Sequence, residues 1–244
     1  MAWVSRVAAA CFVVALPILL ITTNVRFLAS EVRFYERGFR AHDVEQTTGL
    51  ALPELDRSAR EIVNYFENDA STLRVVVKDD GEEVALFNAR ETEHMKDVKW
   101  LMQLVFRVNE VTLAYVLTYV ACVFLWAGRS FRSLARQSLL GIAVGGAGVG
   151  AVGVFAIAGF ESTWRRFHEV VFSNDLWKLN PATDRLIQMF PEPFWQEETF
   201  VVAALTVAEA VIIVGAALAC LVLTRASRAG TAPRGEARGS GAGA

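Results

Sequence analysis

Four stretches of this chain are apolar enough to cross a bilayer, and they limit what the rest can do. About 20 apolar residues traverse the roughly 30 Å hydrocarbon core. The first stretch runs from about Val7 to Thr23, and the second ends at Trp126. The third covers Ser138 to Phe160 and the fourth Phe200 to Thr224. The first follows Arg6, as the apolar part of a signal peptide would. Its exit reads ITTNVRF, without an A-x-A-like cleavage site, so it is expected to stay as a helix.

The short loops orient the bundle. Arg129, Arg132 and Arg136 join the second and third stretches, and Arg225, Arg228, Arg234 and Arg238 follow the fourth. Positive loops stay in the cytoplasm, which places both termini inside and the two longer polar segments outside. The expected architecture is a mainly α membrane protein: four transmembrane helices with a small α+β extracytoplasmic cap. Residues 1–24 form the N-terminal segment and first membrane helix, 25–99 the cap, and 100–127 the second membrane helix. A cytoplasmic loop at 128–137 leads to the third helix at 138–160. An interfacial outer segment at 161–198 leads to the fourth helix at 199–224, and 225–244 form a disordered Gly/Ala/Arg-rich tail. The net charge of −2 gives no reason to expect nucleic acid. Cys11, Cys122 and Cys220 each lie in an apolar stretch and read as small hydrophobes, not as disulfides or zinc ligands.

In the cap, Phe27, Phe34, Tyr35 and Phe39 alternate with arginines, as in an interfacial helix. His42, beside Asp43, reads as a solvated loop histidine. Leu55, Ala59, Ile62 and Phe66 share one face of a helix over Pro53–Glu67. TLRVVVKDDGEEVALF reads as a hairpin, with strands at Val75–Val77 and Val84–Phe87 and a turn at Asp80-Gly81. This cap is too small for a large core of its own and should pack on the membrane helices. Asn88 and Glu91 have capping-box spacing. They open a helix that meets no breaker from about Ala89 to Trp126, roughly 57 Å long.

Candidate chemistry sits in the two outer segments. His94 and Asp97 share a helix face, so the carboxylate could fix the imidazole tautomer. Arg107 and Glu110 share another face where the helix meets the acyl region. Gly141/Gly145 and Gly146/Gly150 are G-x-x-x-G pairs that suggest a central third helix. The segment Glu161–Trp195, rich in aromatics and charge, should lie at the membrane surface as the floor of a site facing lipid esters. There Trp164 and His168 are one helical turn apart, and Asp175 and Trp177 follow in a looser stretch. Glu209 lies roughly 15 Å inside the fourth helix and needs a partner, with Tyr115 and Tyr119 as candidates.

Two segments, FNARETEHMKDVKWL and FHEVVFSNDLWKLNPATDRLIQMFPEPFW, resemble those of a family of bacterial four-helix membrane proteins. Its characterised members are lipoprotein intramolecular transacylases. The resemblance covers nearly the whole chain. It implies that His94 and His168 are catalytic and that the partners are bacterial lipoproteins and membrane lipid. It implies transfer of an acyl chain from the sn-2 ester of a diacylglyceryl group to the amine of the N-terminal cysteine. It also implies a multi-pass protein of the bacterial plasma membrane with its site on the outer face.

The residues suit this chemistry on their own terms. Ester aminolysis needs a base near neutral pH, which histidine supplies. It also needs positive charge near the oxyanion, which a second imidazolium, Arg107, Arg165 or Arg166 could supply. No G-x-S-x-G elbow is present, so direct transfer without an acyl-enzyme is the simpler scheme. No cofactor or metal is expected. The alternatives are a non-enzymatic membrane scaffold or sensor, and a metal-dependent hydrolase using His94, His168 and Asp97 or Asp175. A transporter built around Glu209 is a weaker one. A straight, upright second helix would lift His94 on the order of 20 Å above Val108. The two-histidine scheme therefore requires the helix to tilt or the cap to fold back.

Overall fold

The structure is a computed structural model describing residues 2–79, 81–125 and 131–230. Trp126, Arg129, Asp80 and the tail beyond Gly230, with Arg234 and Arg238, lie outside the described residues. Among the described residues, three helices are long and apolar enough to cross a membrane: α1 (Ala2–Ser30), α5 (Ala89–Leu125) and α9 (Glu192–Gly230). The helix α6 (Phe131–Ala158) runs alongside α1 and α9.

The hub of the bundle is α1, which packs on α5, α6 and α9, where the glycine pattern had suggested the third membrane helix. One glycine pair explains how α6 approaches it. A Cβ on Gly141 would lie 3.0 Å from the Val13 carbonyl, and one on Gly145 only 2.4 Å from the Pro17 ring. Gly146 and Gly150 meet nothing within 4 Å, so the second G-x-x-x-G pair makes no such contact.

Polar bonds fasten the helices at one level. Asn24 Nδ2 donates to Thr206 Oγ1 and to Glu209 Oε2, each at 3.1 Å. Asn109 Nδ2 donates to Thr23 Oγ1 at 2.8 Å. Such bonds between helices in lipid contribute about 1 kcal/mol each. Glu209 thus bonds to α1, not to the tyrosines. Tyr115 donates to the Ala8 carbonyl at 2.7 Å and Tyr119 to Gln137 Oε1 at 2.8 Å.

Between α1 and α5 lie α2 (Val32–Ala41), α3 (Val44–Thr48), α4 (Leu52–Glu67) and a hairpin of β1 (Val76–Asp79) and β2 (Glu82–Ala85). The strands pair antiparallel with Val76 opposite Ala85, and Gly81 turns at φ +90°. Leu55, Ala59, Ile62 and Phe66 are all buried, as their spacing requires. The hydrophobic core is larger than the cap alone could build. It is shared with Leu186, Met189, Phe190 and Phe194, which arrive from α8 (Arg185–Met189) and the start of α9. Gly38 makes the closest approach: a Cβ there would lie 2.3 Å from the Phe194 ring. His42 belongs to this junction and is not a solvated loop residue. Its Nε2 lies 3.3 Å from Glu197 Oε2, and its ring meets Phe194.

Candidate active site

The site is assembled where α5 begins and where α7 (Phe160–Val171) ends. A reciprocal capping box starts α5. Asn88 Oδ1 accepts from Glu91 N at 3.0 Å, and Glu91 Oε2 accepts from Asn88 N at 2.7 Å. Glu91 is 1% exposed, and its other oxygen accepts from Leu186 N at 2.6 Å. Asn88 Nδ2 donates to Asp184 at 3.0 Å. The first turn of α5 is therefore pinned to α8. His94 lies three residues after Glu91, on the same helix face. The run that carries it, ARETEHMKDVK, is polar and precedes the apolar part of α5.

The helix α7 presents Trp164 and His168 on one face. Trp164 stacks on Trp195 at 5.0 Å and meets the His168 ring edge-on at 4.7 Å. Phe172, just past the helix, lies 5.2 Å from His94 and 5.5 Å from His168. Trp177 lies 5.1 Å from His168 on the following loop. The two imidazoles end with ring centroids 6.3 Å apart. The vertical offset expected of an upright α5 does not separate them.

The hydrogen bonds set the tautomer of one ring. His168 Nδ1 lies 2.8 Å from the Trp164 carbonyl. A carbonyl oxygen only accepts, so Nδ1 carries the proton and Nε2 of the neutral ring keeps its lone pair. Burial holds His168 below the ordinary histidine value, against the pull of that carbonyl. His94 is 6% exposed, and its Nδ1 is buried without a hydrogen-bond partner. Burial first, then the neighbouring His168, push its pKa down to about 4, with the Asp97 charge opposing. Both rings are therefore neutral at pH 7.

This carries a pH dependence of stability. The unfolded chain takes up the His94 proton near pH 6.5, and the folded chain only near 4. The contribution of neutral His94 to stability is intact above about pH 6.5 and is lost as pH falls toward 4, on the order of 3 kcal/mol. Thermal unfolding in detergent is expected to drop over that window for the wild type. The drop should be smaller for His94→Gln, because its side chain does not titrate.

The other predicted residues divide. Trp177 joins the pair. Asp97 does not hold His94: its Oδ2 accepts from Asn174 Nδ2 at 2.8 Å. Asp175 pairs with Lys178 at 2.7 Å, and its backbone carbonyl accepts from Arg90 at 2.7 Å. The carboxylates proposed as zinc ligands are thus engaged elsewhere. Arg165 is exposed and pairs with Glu161 at 2.9 Å, and Arg166 is exposed. Glu110 pairs with Arg26 at 2.8 Å, not with Arg107. Arg107 and Glu110 line an open groove with Arg26, Phe66 and Gln103. Thirteen residues along α5 from His94, at 100° per residue, Arg107 is on the far side of the helix. The sequence reading missed Phe172 and Asn174. Phe172 follows His168 by four residues in FHEVVF, and that spacing was the available signal.

Fold and site together define a mainly helical, polytopic membrane protein in which a buried His94 meets a half-buried His168 inside an aromatic wall. The family model for the lipoprotein intramolecular transacylase Lit matches residues 10–195, and the chain belongs to that family. Among solved structures, it is similar to the membrane integral lipoprotein intramolecular transacylase Lit from Bacillus cereus. That similarity has a TM-score of 0.70 at 17% identity, over 92% of this chain and 96% of the other. A variant of the same protein with one histidine replaced by arginine gives a TM-score of 0.72 at 16% identity, over 93% and 96%. An uncharacterised protein of Aquifex aeolicus is 32% identical over 122 residues, which is 49% of this chain. The alignment spans 51%, about half, of that relative's length.

Proposed function

We propose that this chain moves an acyl chain from the sn-2 ester of a lipoprotein's diacylglyceryl group to the free amine of its N-terminal cysteine. The observation that carries the reading is the 6.3 Å separation of His94 and His168, which come from segments 74 positions apart in the sequence. Family membership supplies the substrate class. The chain would cross the plasma membrane four times, α6 included, with both termini in the cytoplasm and the histidines on the outer face.

In this scheme the cysteine amine attacks the ester carbonyl carbon, forming a C–N bond. Nε2 of His168, left with its lone pair by the Nδ1–H bond to the Trp164 carbonyl, takes the amine proton. The developing oxyanion is met by an N–H of the neutral His94 ring. On collapse the C–O bond to glycerol breaks, and His168 returns the proton to the leaving oxygen. The products are an amide and an sn-2 hydroxyl, with no covalent enzyme intermediate. Donor and acceptor share one molecule, so orientation contributes much of the acceleration. Phe172, Trp164 and Trp177 keep water from the ester, which limits hydrolysis.

The test is mass spectrometry of a lipoprotein's N-terminal peptide from a host that lacks N-acylation and expresses this chain. The expected product is an N-acylated, lyso-glyceryl cysteine. An unchanged diacylglyceryl cysteine alongside well-expressed protein would overturn the reading.

A further inference from the structure

Residues 172–184, between α7 and α8, form neither helix nor strand, yet they bring Phe172 and Trp177 against the imidazoles. A segment without a backbone ladder needs side chains to hold it. One side chain does two jobs here. Asn174 Oδ1 accepts from Leu176 N at 3.0 Å, closing the turn that delivers Trp177. Its Nδ2 donates to Asp97 Oδ2 at 2.8 Å, tying that turn to α5. Asp97 lies three residues past His94, on the neighbouring turn of the same face. Arg90, on the preceding turn, adds a second tie at the Asp175 carbonyl.

We infer that Asn174 and Asp97 are a positioning pair, which fixes the Trp177 loop over His168 at a set distance from His94. The inference rests on the transacylase reading of the site. Neither residue touches substrate in this scheme, and both act through the rings. The chemistry at 174 is restrictive. An amide supplies the donor for Asp97 and the acceptor for Leu176 together. Aspartate keeps the turn and loses the donor, and also sets two carboxylates against each other. Asp97 is thereby occupied by the loop and is not the orienting base of His94.

The pair can be separated from a general need for packing by exchanging its partners. Asn174→Asp is expected to lower the transfer rate on the order of 100-fold, since small misplacements of a catalytic site have effects of that size. The fall should lie in kcat, with KM little changed, because the reacting groups still bind. Asp97→Asn with Asn174→Asp reverses donor and acceptor, and should restore the rate to within about tenfold of the wild type, one factor of ten being 1.4 kcal/mol. Asn174→Ala, which adds no charge, serves if the single aspartate variant does not fold. It should unfold at the wild-type temperature in detergent and still lose kcat. An Asn174→Ala or Asn174→Asp protein with full activity would overturn the inference. So would a double variant no better than the single one. A wild type without transfer activity would instead sink the transacylase reading itself, so the two failures are distinct.

Discussion

Alanine at His94 or at His168 is expected to lower lipoprotein transfer by 10²–10⁴-fold, about the range that a positioned acid–base group supplies. The expectation follows from two protonation states. His168 donates from Nδ1 to the Trp164 carbonyl, which leaves the Nε2 lone pair to serve as the base of the proposed scheme. His94 is buried with one nitrogen unpartnered, so it keeps hydrogen-bonding capacity for a substrate. Removing the base should act on kcat. Removing the oxyanion donor should do the same, because that bond strengthens only as charge develops. The double variant should be little slower than either single one, since groups acting as a unit are not additive. His42→Ala is the internal control. Its ring faces Glu197 and Phe194, and transfer should be unchanged. Rates measured on purified protein with a diacylglyceryl peptide decide the point. Full activity of His94→Ala and His168→Ala together would leave the family fold standing but remove the two-histidine mechanism.

Three of the elements, α1, α5 and α9, were legible because membrane helices announce themselves by length and composition. The amphipathic α4, the hairpin and the Asn88–Glu91 capping box follow local rules of spacing, and the structure has all three. Partner choice was not legible. Arg107 and Glu110 have the spacing of a pair, yet Arg26 on α1 reaches Glu110 first. Glu209 needed a partner, and sequence order offers no way to prefer Asn24 over a tyrosine on another helix. The same holds for Asp97, whose nearest polar residues along the chain say nothing of a loop 77 positions away. Long-range pairing depends on how helices dock, and the pattern within one helix does not encode that. The meeting of His94 with His168 came from the family resemblance. Physically it depends on the helix break at Gly159, where α6 ends and α7 begins.

Glu91→Ala should destabilise the protein by about 2–5 kcal/mol, more than any other substitution considered in the cap. Two backbone donors depend on this carboxylate: Leu186 N, buried, at 2.6 Å, and Asn88 N, part-buried, at 2.7 Å. Each buried N–H left without an acceptor costs about 1–3 kcal/mol. Alanine is small, so the vacated space adds a packing loss on top. The native carboxylate also carries a burial penalty, and burial raises its pKa. Glu91→Gln distinguishes the two effects. It removes the charge and keeps one carbonyl acceptor, but turns an NH₂ group toward the second N–H. Its loss should be roughly half that of alanine. Activity should follow stability here, because the first turn of α5 places His94 and the Leu186 bond fixes the far end of the loop that carries Trp177. Thermal unfolding in detergent, run beside the transfer assay, is the measurement. An alanine variant as stable as the wild type would mean that water reaches both donors, and that the capping box only decorates a helix start held by the packing of Leu186 and Met95.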